Sequence, residues 1–164
     1  MRKQSIQTYN SNVPDKTQNT PNHDRIGDLP EWDLSDLYED PSTKTIKKDL
    51  KKVNELSSYF ASKYQNKLSE LSASEMLECF QVQEKINALI GRLMSFASLR
   101  YYQVTTDPSR IKHLTDIQDQ ITEFSSKVVF FPLEFNQLKE NHLKNMLIED
   151  TNLARYKTAF DKMR

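Results

Sequence analysis

Glycine and cysteine are nearly missing from this sequence. Its 164 residues include two glycines, Gly27 and Gly91, and one cysteine, Cys79. Two distant glycines cannot build a glycine-rich phosphate loop or a dinucleotide-binding fingerprint, which need several at short spacing. They also argue against a turn-rich β fold, whose tight hairpins draw on glycine for positive φ. A lone cysteine excludes a disulfide within the chain and points to a reducing compartment. No charge excess exists either: Lys+Arg and Asp+Glu both number 23, for a formal net charge of zero. Non-specific binding to nucleic acid or to a membrane surface needs a basic surplus, so neither is expected as a partner.

Long apolar runs are also absent. The longest, Val128-Val129-Phe130-Phe131, stops at Pro132. The richer stretch over residues 86–99 is interrupted by Asn87, Arg92 and two serines. Neither reaches the ~18 apolar residues that span a bilayer. No apolar segment follows Met1-Arg2-Lys3, so no secretory signal is visible. The expectation is a soluble, cytoplasmic chain.

Residues 1–28 are rich in Gln, Ser, Asn, Thr, Asp and Pro, with few and aperiodic apolar residues. A segment of that composition cannot bury enough surface to offset its ordering entropy, and a disordered polar tail is expected. The next stretch, residues 29–38, mixes large apolar side chains with acids and carries the only tryptophan. It must dock to stay folded, either on this chain's helices or on a further domain.

From there the pattern is helical. Asp40 is expected to cap the first helix, with Pro41 at its first position. Its stripe is Ile46, Leu50, Val53, Phe60 and Tyr64, with Leu56 on the flank and Lys47, Lys48, Lys51 and Lys52 opposite. The second helix opens on the capping box Ser72-Ala73-Ser74-Glu75, with Leu71 and Met76 spaced as a hydrophobic staple. It continues to about Tyr102. Its wide apolar arc (Met76, Cys79, Phe80, Val82, Ile86, Leu89, Ile90, Leu93, Phe96, Ala97) marks it as the central helix. A ridge of small residues, Ala88, Gly91, Ser95 and Ser98, suits close approach of another helix or else leaves a groove, close packing being the expected use. The third helix starts at Asp107-Pro108 and runs along Ile111, Leu114, Ile117, Ile121, Phe124 and Val128, with Pro132 expected to end or kink it. Weaker patterns follow around residues 143–147 and 153–163, the last running uncapped to Arg164 as a truncated chain would. Short connections imply antiparallel neighbours. The fold class is all-α, a helical array of long antiparallel helices.

The residues offer little chemistry. His23, His113 and His142 are far apart and form no zinc-holding pair on a helix face. His23 falls in the tail, and the other two are expected at the surface. Cys79 lies near the apolar arc with no basic neighbour in its own turn, so it reads as a buried small hydrophobe rather than a nucleophile. The carboxylates are scattered among lysines. No catalytic, cofactor-binding or metal-binding residue is assigned.

A resemblance adds to this. Leu29-Pro30-Glu31-Trp32-Asp33-Leu34-Ser35-Asp36-Leu37-Tyr38 resembles the N-terminal motif of oligoendopeptidase F and its relatives. Gly91-Arg92-Leu93-Met94-Ser95-Phe96-Ala97-Ser98-Leu99 is similar to that family's long-helix segment, and Thr105-Thr106-Asp107-Pro108 to its connection to the next helix. Phe130-Phe131-Pro132-Leu133-Glu134-Phe135-Asn136 and Leu153-Ala154-Arg155-Tyr156 match further on, although Pro132 stands where many relatives carry another residue. Order and spacing make the match more specific than any single piece. The family comprises zinc metallopeptidases, almost wholly helical, that cut oligopeptides in the cytoplasm. Two histidines and a glutamate hold the metal, and the glutamate of H-E-x-x-H activates its water. No position here corresponds to those residues. The resemblance therefore implies an incomplete N-terminal helical domain over residues 29–164, not an enzyme on its own. It would form a wall of the peptide cleft. Its partner would be the catalytic C-terminal part, met through Trp32, Leu34, Leu37 and Tyr38. Zinc and oligopeptide would belong to the intact enzyme only. The alternative reading is a free-standing helical protein–protein interaction module.

Overall fold

A computed structural model describes residues 32–163 of the chain. The tail over residues 1–28, with His23, lies outside them, as do Leu29, Pro30, Glu31 and Arg164. Among the described residues the fold is all-α, with no strand. Three long helices come first: α1 (Lys44–Tyr64), α2 (Ala73–Gln103) and α3 (Pro108–Ser126). Three short ones follow: α4 (Phe130–Gln137), α5 (Glu140–Glu149) and α6 (Lys157–Lys162). Single 3-10 turns at Leu68–Glu70 and Leu153–Tyr156 join α1 to α2 and α5 to α6.

α2 begins where its capping box requires. The Ser72 hydroxyl accepts from the Glu75 N–H at 3.3 Å, and the Glu75 carboxylate accepts from the Ser72 N–H at 2.9 Å. Two otherwise orphaned donors are thus paired. Asp107 caps α3 by accepting from the Ser109 N–H at 2.8 Å, with Pro108 at the first helical position. The 31 residues of α2 give a length of roughly 46 Å. It is the central helix, in contact with α1, α3, α5 and the 3-10 turn before α6. The antiparallel order is visible in paired side chains. Lys63 near the end of α1 meets Glu78 near the start of α2 at 2.7 Å, whereas Asp49 near the start of α1 meets Arg92 far along α2 at 3.5 Å. Farther along, Phe96 and Arg100 of α2 meet His113 and Arg110 of α3.

Several local expectations are corrected. α1 starts three residues later than Asp40-Pro41 suggested, and its cap is Thr43, whose hydroxyl accepts from the Ile46 N–H. Asp40 is spent elsewhere: its carboxylate accepts from the backbone N–H and hydroxyl of Ser42 at 2.7 and 2.6 Å, closing a turn through Pro41. Such a local bond competes directly with capping. α3 ends at Ser126, before Val128 and well before Pro132. Pro132 falls in the first turn of α4, where a backbone N–H has no intrahelical partner to lose. Ile111, placed on the buried stripe of α3, is 43% exposed. The last helix, α6, spans Lys157–Lys162, and Met163 keeps helical dihedrals with its N–H bonded to the carbonyls of Ala159 and Phe160; whether the pattern reaches Arg164 lies outside the described residues. The small ridge on α2 receives no helix among the described residues. Ala88, Gly91 and Ser95 are exposed, and a Cβ built on Gly91 would meet nothing within 4 Å.

The core gathers the α1 stripe, the α2 arc and the rings of the short helices. Phe80 of α2 lies against Phe131 and Phe135 of α4, Tyr156 of the last 3-10 turn and Phe160 of α6, with centroid distances of 4.9–5.6 Å. Phe60 of α1 closes the cluster on Phe131 at 5.3 Å. Cys79, next to Phe80, is fully buried, and burial pushes its thiol up to about 12.

Because Gly91 sits in an exposed helix interior with open space at its Cβ, Gly91→Ala should raise stability by about 0.5–1 kcal/mol. Urea titration checks this. A destabilised variant would mean that the ridge is covered in solution.

Candidate functional site

The four residues singled out for docking form one irregular segment laid across α1 and α2. The structure treats them unequally. Tyr38 is 3% exposed and belongs to the core; Leu34 and Leu37 are half-buried against it; Trp32 is 58% exposed. Packing on this chain's own helices thus accounts for Tyr38 and much of the two leucines, and Trp32 alone stands clear.

The segment is held by polar groups that sequence reasoning missed. The Nε and Nη2 of Arg92 both donate to the Leu37 carbonyl, the former at 2.9 Å. Its guanidinium lies over the Tyr38 ring, 4.3 Å from the centroid, and 3.5 Å from Asp49. The Tyr38 hydroxyl donates to the same Asp49 carboxylate at 2.8 Å. Burial, then that bond to Asp49, pushes the phenol well above its ordinary value. Tyr38 also meets Phe96 edge-on at 5.2 Å. At the other end, the Gln103 amide donates to the Trp32 carbonyl at 2.8 Å. Arg110 of α3 braces Gln103 at 3.0 Å and the Arg100 carbonyl at 2.9 Å. One sequence signal pointed this way: Asp49 and Arg92 each adjoin a buried stripe residue, Leu50 and Leu93, and so sit at the margin of the core.

The histidines correct an expectation. Neither His113 nor His142 is a plain surface residue: both are half-buried, and each encloses an Nε2 that finds no hydrogen-bond partner among the described residues. Burial and the nearby charge of Arg100 hold His113 below the usual imidazole range, against a smaller opposing pull from Asp116. Its ring stands edge-on to Phe96 at 6.2 Å. The two histidines are not brought together. Among the described residues no group of three or more His, Cys, Asp or Glu side chains could hold a metal ion. No helix there is long and apolar enough to cross a membrane.

Arg92→Ala should cost about 1–2 kcal/mol, since it frees the Leu37 carbonyl and uncovers Tyr38. The loss should appear in the urea midpoint, with faster amide exchange over residues 34–38 than elsewhere. His113 sets a pH dependence. Its folded pKa lies below the unfolded value of 6.5, so the unfolded chain binds the proton first. Stability should fall as pH drops below about 6.5 and level off below the folded pKa. His113→Gln should flatten that part of the curve in urea melts between pH 7.5 and 5.

No protein-family model and no solved structure matches the chain. It is similar to oligopeptidase PepF of Bacillus subtilis (strain 168), with 27% identity over 149 residues. The match covers 90% of this chain and 22% of the relative. The chain therefore spans about a fifth of the length of the curated protein it matches.

Proposed function

We propose that this chain is a non-catalytic helical part of an oligopeptidase of the PepF kind. In that reading residues 29–164 form a wall beside the peptide cleft, and zinc and the reacting peptide are held by a catalytic part of which this chain supplies no residue. The observation that carries it is the similarity along 90% of the chain. The all-α architecture and the ordered N-terminal segment accord with it. Trp32, with the uncovered edges of Leu34 and Leu37, supplies the contact to the catalytic part. Tyr38 acts from behind, as the buried anchor that fixes their position. An exposed tryptophan on a braced backbone loses little entropy on docking, which is the property of an interface hot spot.

The purified chain should bind no stoichiometric zinc and turn over no quenched fluorogenic peptide. Zinc-dependent turnover by the chain alone would overturn the proposal. Mixed with B. subtilis PepF from which the matched segment has been deleted, it should co-elute on size exclusion. Trp32→Ala should weaken that association by about tenfold or more. A cooperatively folding chain that ignores the peptidase would favour the interaction-module alternative.

A further inference from the structure

α2 carries a seam that is covered at one end and bare at the other. Ala88, Gly91, Ser95, Ser98 and Tyr102 succeed one another at alternating steps of three and four. That spacing holds side chains on one line along a helix, and it is the repeat by which two helices lie side by side at a small crossing angle. Ala88, Gly91 and Ser95 are exposed, Ser98 is half-buried, and Tyr102 is 63% exposed. The same line runs back through Glu84, Gln81 and Leu77, where the chain itself meets it. Those three line a hollow together with Asn152, Arg155 and Tyr156, and the Tyr156 hydroxyl donates to Glu84 at 2.8 Å. From Ala88 to Tyr102 the line continues for about 21 Å without cover from any described helix.

Two features mark the bare part as a contact face rather than a solvated one. It holds no charge, whereas the exposed faces of α1 and α3 carry Lys47, Lys51 and Lys52, and Lys112, Asp116 and Asp119. Gly91 also weakens the helix relative to alanine with no compensation inside the chain, since a Cβ there would meet nothing within 4 Å. A glycine at the middle of a line of small residues lets a second helix axis approach to about 8 Å.

We propose that a helix of the catalytic part of a PepF-like peptidase lies along this seam, close to antiparallel or parallel with α2 and nearest to it at Gly91. The inference rests on the kinship proposed above and gives that partner a second contact. The match takes in 22% of the relative, so most of such a protein lies elsewhere and is available as the cover. The seam also ends one residue before Gln103, whose amide holds the Trp32 carbonyl at 2.8 Å. The two contacts therefore adjoin at one end of α2. The three-and-four spacing selects a helix over an extended segment, and the absence of charge selects a helix with a small apolar stripe.

The test grades the space at Gly91. In the free full chain, Gly91→Ala and Gly91→Leu should hold or raise the urea midpoint, because the position is open. Their affinity for B. subtilis PepF lacking the matched segment, read by surface plasmon resonance, should fall by about threefold and at least about tenfold respectively. Lys52→Leu on α1 should leave it unchanged. Affinity and stability moving in opposite directions is a signature that misfolding does not produce. Association that Trp32→Ala weakens and Gly91→Leu does not would overturn the seam and leave the kinship standing. An unmodified chain that does not associate would overturn both. Self-association of the chain alone, lost in Gly91→Leu, would place a second copy on the seam and overturn the proposal. Should the shortened PepF fail to fold, a chimera in which this chain replaces the matched segment decides: Gly91→Leu should lower its melting temperature, and an unchanged or raised one overturns the proposal.

Discussion

The ring of Phe80 is the constraint on which the second half of the chain depends. α4, α5 and α6 have eight, ten and six residues. Helices that short do not hold in water alone, because nucleation costs more than so few hydrogen bonds return. Their order must come from burial. For α4 and α6, Phe131, Phe135, Tyr156 and Phe160 supply it by converging on one side chain of α2, mostly in edge-on or tilted contacts, while α5 buries Leu143 and Met146. Such geometry sets ring edges against ring faces and adds to the area removed from water. The long helices are less dependent on it, since α1 and α2 bury apolar stripes along most of their length.

The N-terminal segment is ordered by a different principle. It has no helix or strand to satisfy its backbone, so side chains of α2 reach out to its carbonyls: Arg92 to Leu37 and Gln103 to Trp32. Two carbonyls are thereby paired, and the path between them is pinned at both ends. Tyr38 completes the arrangement with its ring in the core and its hydroxyl on Asp49. The result is an exposed indole on a backbone that is not free to wander.

Much of the fold was legible because its signals are periodic or strictly local. The α1 stripe from Ile46 to Tyr64 needs only the 3.6-residue repeat, and the Ser72–Glu75 box needs only four neighbours in sequence. Misreadings arose where one residue had two uses. Asp40 could cap a helix or close a turn on Ser42, and the turn won. Pro132 could break α3 or open α4, and the preceding turn had already ended α3 at Ser126. Of the candidate surface, the motif was visible but its division was not. Nothing local in residues 32–38 tells that Tyr38 turns inward while Trp32 stays out. That choice is made by Asp49 and Arg92, 11 and 54 positions farther along the chain.

Cys79 gives the molecule an internal clock. It is the only thiol, it is fully buried beside Phe80, and burial suppresses its thiolate. An alkylating reagent can reach the sulfur only when the cluster around it parts. The labelling rate of the native protein therefore reports how often the core around this position opens.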